Sequence, residues 1–426
     1  MKIKSISFEN YKAFKEKQTL ELKPITLLLG KNSSGKSVIT KLFTLLDNSL
    51  SRRIDAPLLL NNYGVELGAE FRDLVYGREP NSPISFNIEY QNNSNLSVKI
   101  IQPINSHKIE FLEWRMLLNN GDFIEYSKEK NIFHTKDEKQ VFIDLRGFLP
   151  NLNIFYENYK NIRNYKDLDI SHTNFENMLE FFPFIDNIIL NDFEIDYIEP
   201  FRVLPKRHYY FEGETEYKSV STNGKDAYQV LIDSYLSGKD DENSIYNQVS
   251  NWYEEKFGWK LEIKDNNSFY EFLLSKNDIK VNLADVGQGM HQALPLVVRA
   301  FMYVEDSIVV IEQPELHLHT FAHADLAELF AKSAKTNNQT FVIETHAENI
   351  LLRLRKLVID NDFGFTKDDI IIYWVDENEN GGQKITPITI DEEGTLSDWF
   401  DDAFNENLQE MYAMDKALAK KNKSKL

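Results

Sequence analysis

A glycine-rich loop between a strand pattern and a helix pattern constrains the fold of this chain more than any other feature. The loop reads Gly-Lys-Asn-Ser-Ser-Gly-Lys-Ser from Gly30 to Ser37. Residues 25–29 before it are apolar except for Thr26, a good strand former, which predicts a strand buried on both faces. Apolar side chains between residues 38 and 46 fall on one helical face. This order of elements favours an α/β fold.

The composition of the loop indicates the kind of ligand. Its two glycines let the backbone curl so that successive N–H groups point inward, and the following helix adds the positive end of its dipole. Both features favour a bound phosphate, with a lysine on the β- and γ-phosphates and a hydroxyl on Mg²⁺. The predicted nucleotide-binding residues are Gly30, Lys31, Asn32, Ser33, Ser34, Gly35, Lys36 and Ser37.

An acidic residue at the end of a neighbouring strand is needed to complete the metal shell. The apolar run 307–311 predicts such a strand, and Glu312 follows it. We therefore expect Ser37 and Glu312 to hold Mg²⁺. A separate metal site at Glu315, His317 and His319 is the weaker interpretation, because histidines two apart need an extended chain and a further ligand.

Composition excludes several classes of protein. The 426 residues include no cysteine, which excludes disulfides, thiolate nucleophiles and cysteine-based zinc sites. No secretory signal and no apolar run near ~20 residues is visible, so a cytoplasmic protein without a membrane span is expected. The net charge of −19 counts against a protein that wraps nucleic acid over its surface. A basic groove for DNA inside an oligomer is still compatible with this charge. The chain shows no sustained heptads, which counts against a coiled-coil arm.

Four sequence strings together resemble the ABC-type AAA ATPases related to the RecF, SMC and OLD families. They are Gly30–Ser37, Asp285–Gln292, Ile311–His319 and Ile343–His346. The resemblance is strongest to a small prokaryotic branch with the string Ile-Glu-Gln-Pro-Glu-Leu-His-Leu-His. It implies ATP and Mg²⁺ as ligands and an ABC-type P-loop ATPase head with a mixed, largely parallel sheet plus a globular α+β insertion.

The resemblance also divides the chain. Residues 1–105 are the expected N-terminal part of the ATPase head, and 106–278 the insertion. Residues 279–375 are the expected C-terminal part of the head, with alternating strands and helices. Residues 376–426 are expected to form a hairpin and a helical extension.

Members of this group sandwich two ATP molecules between two heads, so a homodimer or a higher homo-oligomer is implied. By resemblance, Gly287–Gln292 is the signature loop, and Gly289 opens the next helix toward the γ-phosphate across the dimer. Gly287 stands where the signature serine is usual, which removes a side-chain contact. His346 matches the switch histidine that senses the γ-phosphate.

The position after the metal residue departs from the usual pattern. Relatives carry an aspartate followed by a glutamate that polarises the attacking water, whereas this chain has Glu312 and Gln313. Glutamine positions water but does not accept its proton, so slow hydrolysis of ATP to ADP and phosphate is predicted unless another carboxylate substitutes. Glu315 and Glu344 are the candidates. Glu344 would share a face with His346 if its strand continued that far.

A basic segment in the insertion has two interpretations. Pro200-Phe-Arg202 and Lys206-Arg207, followed by Thr222-Asn-Gly224, resemble an arginine-plus-glycine segment of these ATPases. A surface turn is the simpler interpretation, and an approach to the nucleotide or to a partner is the alternative. The adjacent aromatic residues 209–211 are expected in the core.

The resemblance suggests an ATP-driven switch that controls a separate effector, a nuclease, in bacterial anti-phage defence of the Septu, PARIS or OLD kind. About 80 residues follow His346, too few for the nuclease domain fused in OLD proteins, so cleavage is expected on another chain. A DNA repair or chromosome-maintenance ATPase of the RecF or SMC type is the first alternative. A non-catalytic ATP-bound scaffold is the second.

Overall fold

The structure is a computed structural model that describes residues 2–138, 140–141, 143–150, 194–213, 217–238, 240–379 and 381–398. The strands are β1 Ile3–Glu9, β2 Gln18–Glu21, β3 Ile25–Gly30, β4 Asn61–Asn62, β5 Val65–Glu66, β6 Ile84–Tyr90, β7 Asn95–Ile101, β8 Glu110–Leu117, β9 Phe123–Ser127, β10 Ile132–Thr135, β11 Gln140–Val141, β12 Leu145–Arg146, β13 Leu149–Pro150, β14 Ile195–Ile198, β15 Lys260–Asp265, β16 Tyr270–Lys276, β17 Ile279–Asn282, β18 Ile308–Glu312, β19 Thr340–Glu344, β20 Ile370–Glu377 and β21 Gln383–Ile388.

The α-helices are α1 Lys36–Leu50, α2 Ala227–Gly238, α3 Ile245–Phe257, α4 Gln288–Phe301, α5 Thr320–Thr336 and α6 Glu348–Asp360. Short 3₁₀ turns cover Phe71–Leu74, Tyr76–Arg78, Leu283–Asp285, Asp362–Gly364 and Lys367–Asp369. No helix within the described ranges is long and apolar enough to cross a membrane. The predicted helical extension beyond residue 398 lies outside these ranges.

A six-stranded sheet organises the molecule. Its order is β14-β18-β19-β3-β20-β21, with the first five strands parallel and β21 antiparallel. The strand before the glycine loop, β3, is buried along its whole length between two parallel neighbours, as its apolar sequence predicts. The predicted α/β fold with a mixed, largely parallel sheet is confirmed.

Helix α1 lies between this sheet and a second, antiparallel sheet. The second sheet has the order β11-β10-β9-β8-β7-β6-β1-β2. One hydrophobic core joins its inner face to α1 and to one face of the parallel sheet. Helices α2 to α6 and the three-stranded sheet β15-β16-β17 form a second core against the opposite face. The glycine loop therefore begins a helix that is fixed from both sides.

Parts of the predicted insertion belong to these two sheets. Strands β8 to β11 extend the antiparallel sheet, and β14 is the edge strand of the parallel sheet beside β18. The expected division at residue 106 therefore does not coincide with a sheet boundary. At residue 106 the antiparallel sheet simply continues, because β8 pairs with β7. β14 pairs with a strand more than a hundred residues downstream, a partnership that local sequence patterns do not contain.

Candidate functional site

The backbone of the glycine loop takes the shape its sequence predicts. Gly30 has φ 151°, and a Cβ there would lie 2.3 Å from the carbonyl oxygen of Val375 on β20. Gly35 has φ 98° and caps the N-terminus of α1. Both positions need glycine, the first for close approach of a neighbouring strand and the second for a left-handed turn into the helix.

Lys36 folds back over its own loop. Its ammonium Nζ donates to the carbonyl oxygens of Gly30 at 2.8 Å and of Lys31 at 2.7 Å. The side chain is buried, and this burial lowers the pKa of Lys36. The ammonium group that the sequence predicts to bind phosphate oxygens is therefore bonded here to two carbonyl oxygens of the loop.

Two parallel strands bring two carboxylates to the first turn of α1. The register pairs Glu312 at the end of β18 with Glu344 at the end of β19. Ser37 Oγ donates to Glu344 Oε1 at 3.0 Å, and Thr40 Oγ1 donates to Glu312 Oε1. Burial, followed by the charge of Glu312, raises the pKa of Glu344 to about 7, and burial raises the pKa of Glu312.

The segment after β18 is a tight turn that crosses to β19. Gln313 has φ 44°, an uncommon value for a residue with a side chain, and its N–H donates to the carbonyl of Glu344 at 2.8 Å. Glu315 Oε1 accepts the backbone N–H of His346 at 2.8 Å. Because β19 ends at Glu344, strand alternation does not extend to His346, whose side chain is exposed whereas that of Glu344 is buried.

The predicted signature loop stands at the exposed start of α4. Gly287 is the N-cap residue and is exposed. A Cβ on Gly289 would lie 2.8 Å from the carbonyl oxygen of His317, so glycine lets the first turn of α4 approach the turn after β18. The exposed helix start and the residues after Glu312 are therefore neighbours within one chain.

Arg202 contradicts the simpler interpretation of its segment as a surface turn. Its side chain is buried just beyond β14, and Nη2 donates to the carbonyl oxygens of Glu312 at 3.1 Å and of Gln313 at 3.3 Å. Lys206 and Arg207 are exposed, as that interpretation expects. Tyr209 is buried and stacks on Tyr228 in the core, as expected, and Phe211 packs against the same core. Tyr210 is exposed, so the expectation is wrong for this residue.

Several buried polar atoms around the loop have no hydrogen-bond partner among the described residues. They are Ser34 Oγ, Arg202 Nε and Nη1, Glu315 Oε2 and Glu344 Oε2. Buried polar atoms are normally satisfied by protein, water or ligand. The set combines donors, which suit phosphate oxygens, with carboxylate acceptors, which suit a hydrated cation. The residues present therefore fit ATP with Mg²⁺.

Sequence reasoning missed Thr40 and the burial of Arg202. Thr40 could have been found, because it lies one helical turn after Ser37 and so shares its face. The burial of Arg202 could not have been predicted, since it depends on β14 joining the sheet next to β18.

Comparison with known proteins gives a family. A family model described as the AAA ATPase domain matches residues 1–351. No curated protein matches the chain. A solved SMC head bound to the C-winged helix domain of ScpA is 11% identical and has a TM-score of 0.46, covering 91% of this chain and 98% of that one. The SMC head domain from Thermotoga maritima is 11% identical with a TM-score of 0.41, covering 91% and 99%. The SMC head with an extended coiled coil from Pyrococcus furiosus is 10% identical with a TM-score of 0.43, covering 91% and 96%. Because the family model matches most of its length, the chain belongs to the AAA ATPase domain family.

Proposed function

We propose that this chain binds ATP with Mg²⁺, hydrolyses it slowly, and uses the bound nucleotide to form a head-to-head dimer that controls a separate effector. One observation carries the proposal: the phosphate loop meets Glu312 and Glu344 at the ends of two parallel strands, and the next residue, Gln313, is an amide. The loop is equipped to hold phosphate, whereas the residue beside the metal position is not equipped to take a proton.

The roles of the chain's own residues follow from the contacts around the phosphate loop. Lys36, which holds two loop carbonyls, would bind phosphate oxygens, and Ser37, which donates to Glu344, would hold Mg²⁺ together with Glu312. Mg²⁺, when bound, would neutralise part of the negative charge of the phosphates. Gln313 orients the attacking water by hydrogen bonding. Glu315 and Glu344 each have an oxygen without a protein partner among the described residues, and these two carboxylates are the candidates to receive the proton.

Dimerisation through this face is supported by what the chain exposes there. Gly287 presents the free start of α4, whose backbone N–H groups suit a phosphate of the partner's nucleotide. Phe201, beside Arg202, is 73% exposed, and Phe321, which stacks on His319, is 80% exposed. In a head-to-head dimer the partner would cover these two side chains.

Sedimentation with and without Mg²⁺-ATP tests the switch. We expect the wild type to move from monomer to dimer with ATP, and Lys36→Ala to remain monomeric because it loses the phosphate contact. The matched control is Lys332→Ala, which removes an exposed lysine from α5 and should dimerise like the wild type. A wild type that binds ATP without any change of mass refutes the switch.

The effector and the anti-phage role rest on the sequence resemblance. Cells that express the chain with its native neighbouring genes are challenged with phage. The proteins that co-purify with the chain in the presence of ATP are then identified. Protection that needs Lys36, together with co-purification of a nuclease, supports the role. Protection unchanged by Lys36→Ala refutes it.

A second candidate is a non-catalytic ATP-bound scaffold, which Gln313 favours. Phosphate release from the purified wild type separates the two functions. Measurable release above that of Lys36→Ala supports the slow ATPase, and release equal to that of the variant supports the scaffold.

A further inference from the structure

A cavity beside the second half of helix α1 lies apart from the phosphate loop. It has a volume of about 900 Å³, and its walls include part of α1, the start of β14 and the segment 217–226. Thr44 and Asp47 line it from α1, about two and three helical turns after Ser37. They therefore stand about 10–15 Å along the helix from the predicted metal residue. A cavity of this size is large enough for a small molecule.

Asp47 is a buried carboxylate in the cavity wall. It is 1% exposed, and its hydrogen bonds are long: the N–H of Ile195 donates at 3.3 Å and Arg53 Nη1 at 3.5 Å. Burial raises the pKa of Asp47 to about 6, although Arg53 and Tyr63 lie nearby. A buried charge is costly unless it is closely paired. This carboxylate is therefore poorly compensated by the groups around it.

Thr44 adds a second polar group on the same face of α1, three residues before Asp47. The residue is 2% exposed, and its Oγ1 has no hydrogen-bond partner among the described residues. Buried hydroxyl groups are normally satisfied by protein, water or ligand. Because a hydroxyl oxygen accepts hydrogen bonds and a carboxylate does so more strongly, the two side chains together suit a group with several N–H donors.

The remaining walls are acidic in balance. Five carboxylates line the cavity, against three basic side chains. Arg53 is shared, since Nη2 lies 3.4 Å from Glu194 and Nη1 lies 3.5 Å from Asp47. Asp196 pairs at 2.6 Å with Arg299, which is buried. Carboxylates still outnumber basic groups when this arginine is counted. A ligand with several ammonium groups would neutralise the excess, whereas an anionic ligand would increase the repulsion.

We propose that this cavity binds a small organic polycation of the polyamine class. One ammonium group donates to Asp47 and Thr44, and the acidic walls hold the others. Tyr63 and Tyr217 also line the cavity, and aromatic rings attract ammonium groups and cover the methylene segments between them. The site uses no residue of the phosphate loop. It therefore stands whether or not the ATP-dependent dimer proposed above is correct.

Calorimetric titration of the full chain with spermidine, without nucleotide, tests the site. At about 0.15 M salt, attraction between exposed charges is largely screened, so saturable binding reports a built site. Asp47→Asn keeps the shape of the side chain and removes its charge, and it should weaken binding about tenfold or more. Thr44→Val removes the hydroxyl and should weaken binding about threefold or more. Asp360→Asn is the matched control, because it removes a carboxylate that pairs with Lys356 on α6, and spermidine should bind to it as to the wild type.

Two further measurements locate the ligand and identify its chemistry. Spermidine should slow amide hydrogen exchange in residues 194–197 and 217–226. Octanediol, which has a similar length and no charge, and Mg²⁺ should both bind more weakly than spermidine. Circular dichroism shows whether each variant is folded, and if Asp47→Asn does not fold, Thr44→Val carries the test.

Three outcomes would overturn the proposal. Equal spermidine affinity in the wild type and in both cavity variants would mean that the net charge of −19 attracts the polycation without a site. Binding of octanediol or Mg²⁺ as tight as that of spermidine would assign the cavity to another ligand class. Protection from exchange that lies outside the two segments would place the polycation elsewhere. A chain that binds spermidine as expected but never dimerises with ATP would support the cavity site and refute the switch.

Discussion

Replacing Gln313 with glutamate is the sharpest test of how the site handles a proton. The backbone at this position is fixed from both sides: its N–H donates to the carbonyl of Glu344, and its own carbonyl accepts from Arg202. Glutamate is nearly isosteric with glutamine, so the change keeps the shape of the side chain while adding a proton acceptor and a negative charge. General-base help is typically worth ~10²–10⁴ in rate, which corresponds to about 2.7–5.5 kcal/mol of barrier. We expect turnover to rise by that factor.

The assay is phosphate release at saturating Mg²⁺-ATP, first over a single turnover and then at steady state. Gln313→Met is the control, because it keeps the length of the side chain but neither orients water nor accepts a proton, and it should fall below the wild type. ATP affinity should change by only a few-fold in both variants. The reasoning fails if the wild type already turns over near the usual ~10 s⁻¹ and Gln313→Glu adds nothing. That result would place the proton acceptor elsewhere in the site.

Three further predictions concern the loop and its helix. Gly30→Ala should abolish ATP binding in calorimetric titration and lower the unfolding midpoint, because the added Cβ meets the Val375 carbonyl at 2.3 Å; unchanged binding would contradict the required close approach. Lys36→Ala should weaken ATP binding by more than tenfold while leaving thermal stability within a few degrees, since the hydrogen bonds of the lysine to described residues go to its own loop carbonyls. Burial raises the pKa of Asp47 from 3.8 to about 6, so its charged form costs folding free energy above that pH. Asp47→Asn should therefore raise the free energy of unfolding in urea by at most about 3 kcal/mol at pH 8, with the gain vanishing as the pH falls toward 4; a pH-independent gain would refute this cause.

The sequence predicted the elements whose evidence is local. The strand Ile25–Gly30, helix α1 and the alternating strands and helices from residue 280 onward follow from periodicity and from the glycine loop between two recognisable patterns. The strand before the loop ends one residue later than its apolar run, and α1 continues four residues beyond its apolar pattern, because the ends of helices and strands carry little pattern.

Features that depend on distant partners were beyond local reasoning. β14 has Asp196 in its middle, which breaks an apolar strand pattern, and the pattern makes sense only once Arg299 is seen to pair with that carboxylate at 2.6 Å. The same strand delivers Arg202 to the site. Chemistry that the sequence places in one short stretch was predicted, whereas the approach of Arg202 to the site was only the alternative to a surface turn.

The position of β3 in the parallel sheet has a consequence for how the protein is made. β3 is completed within the first thirty residues of the chain, yet both of its neighbours, β19 and β20, come more than three hundred residues later. Closing loops of this length is slow and exposes apolar strands in the meantime. During synthesis the strand before the phosphate loop therefore lacks its two neighbouring strands until residue 375 has left the ribosome. A chain that is cut short before β20 lacks the strand whose Val375 carbonyl packs on Gly30, so we expect such a chain not to hold nucleotide.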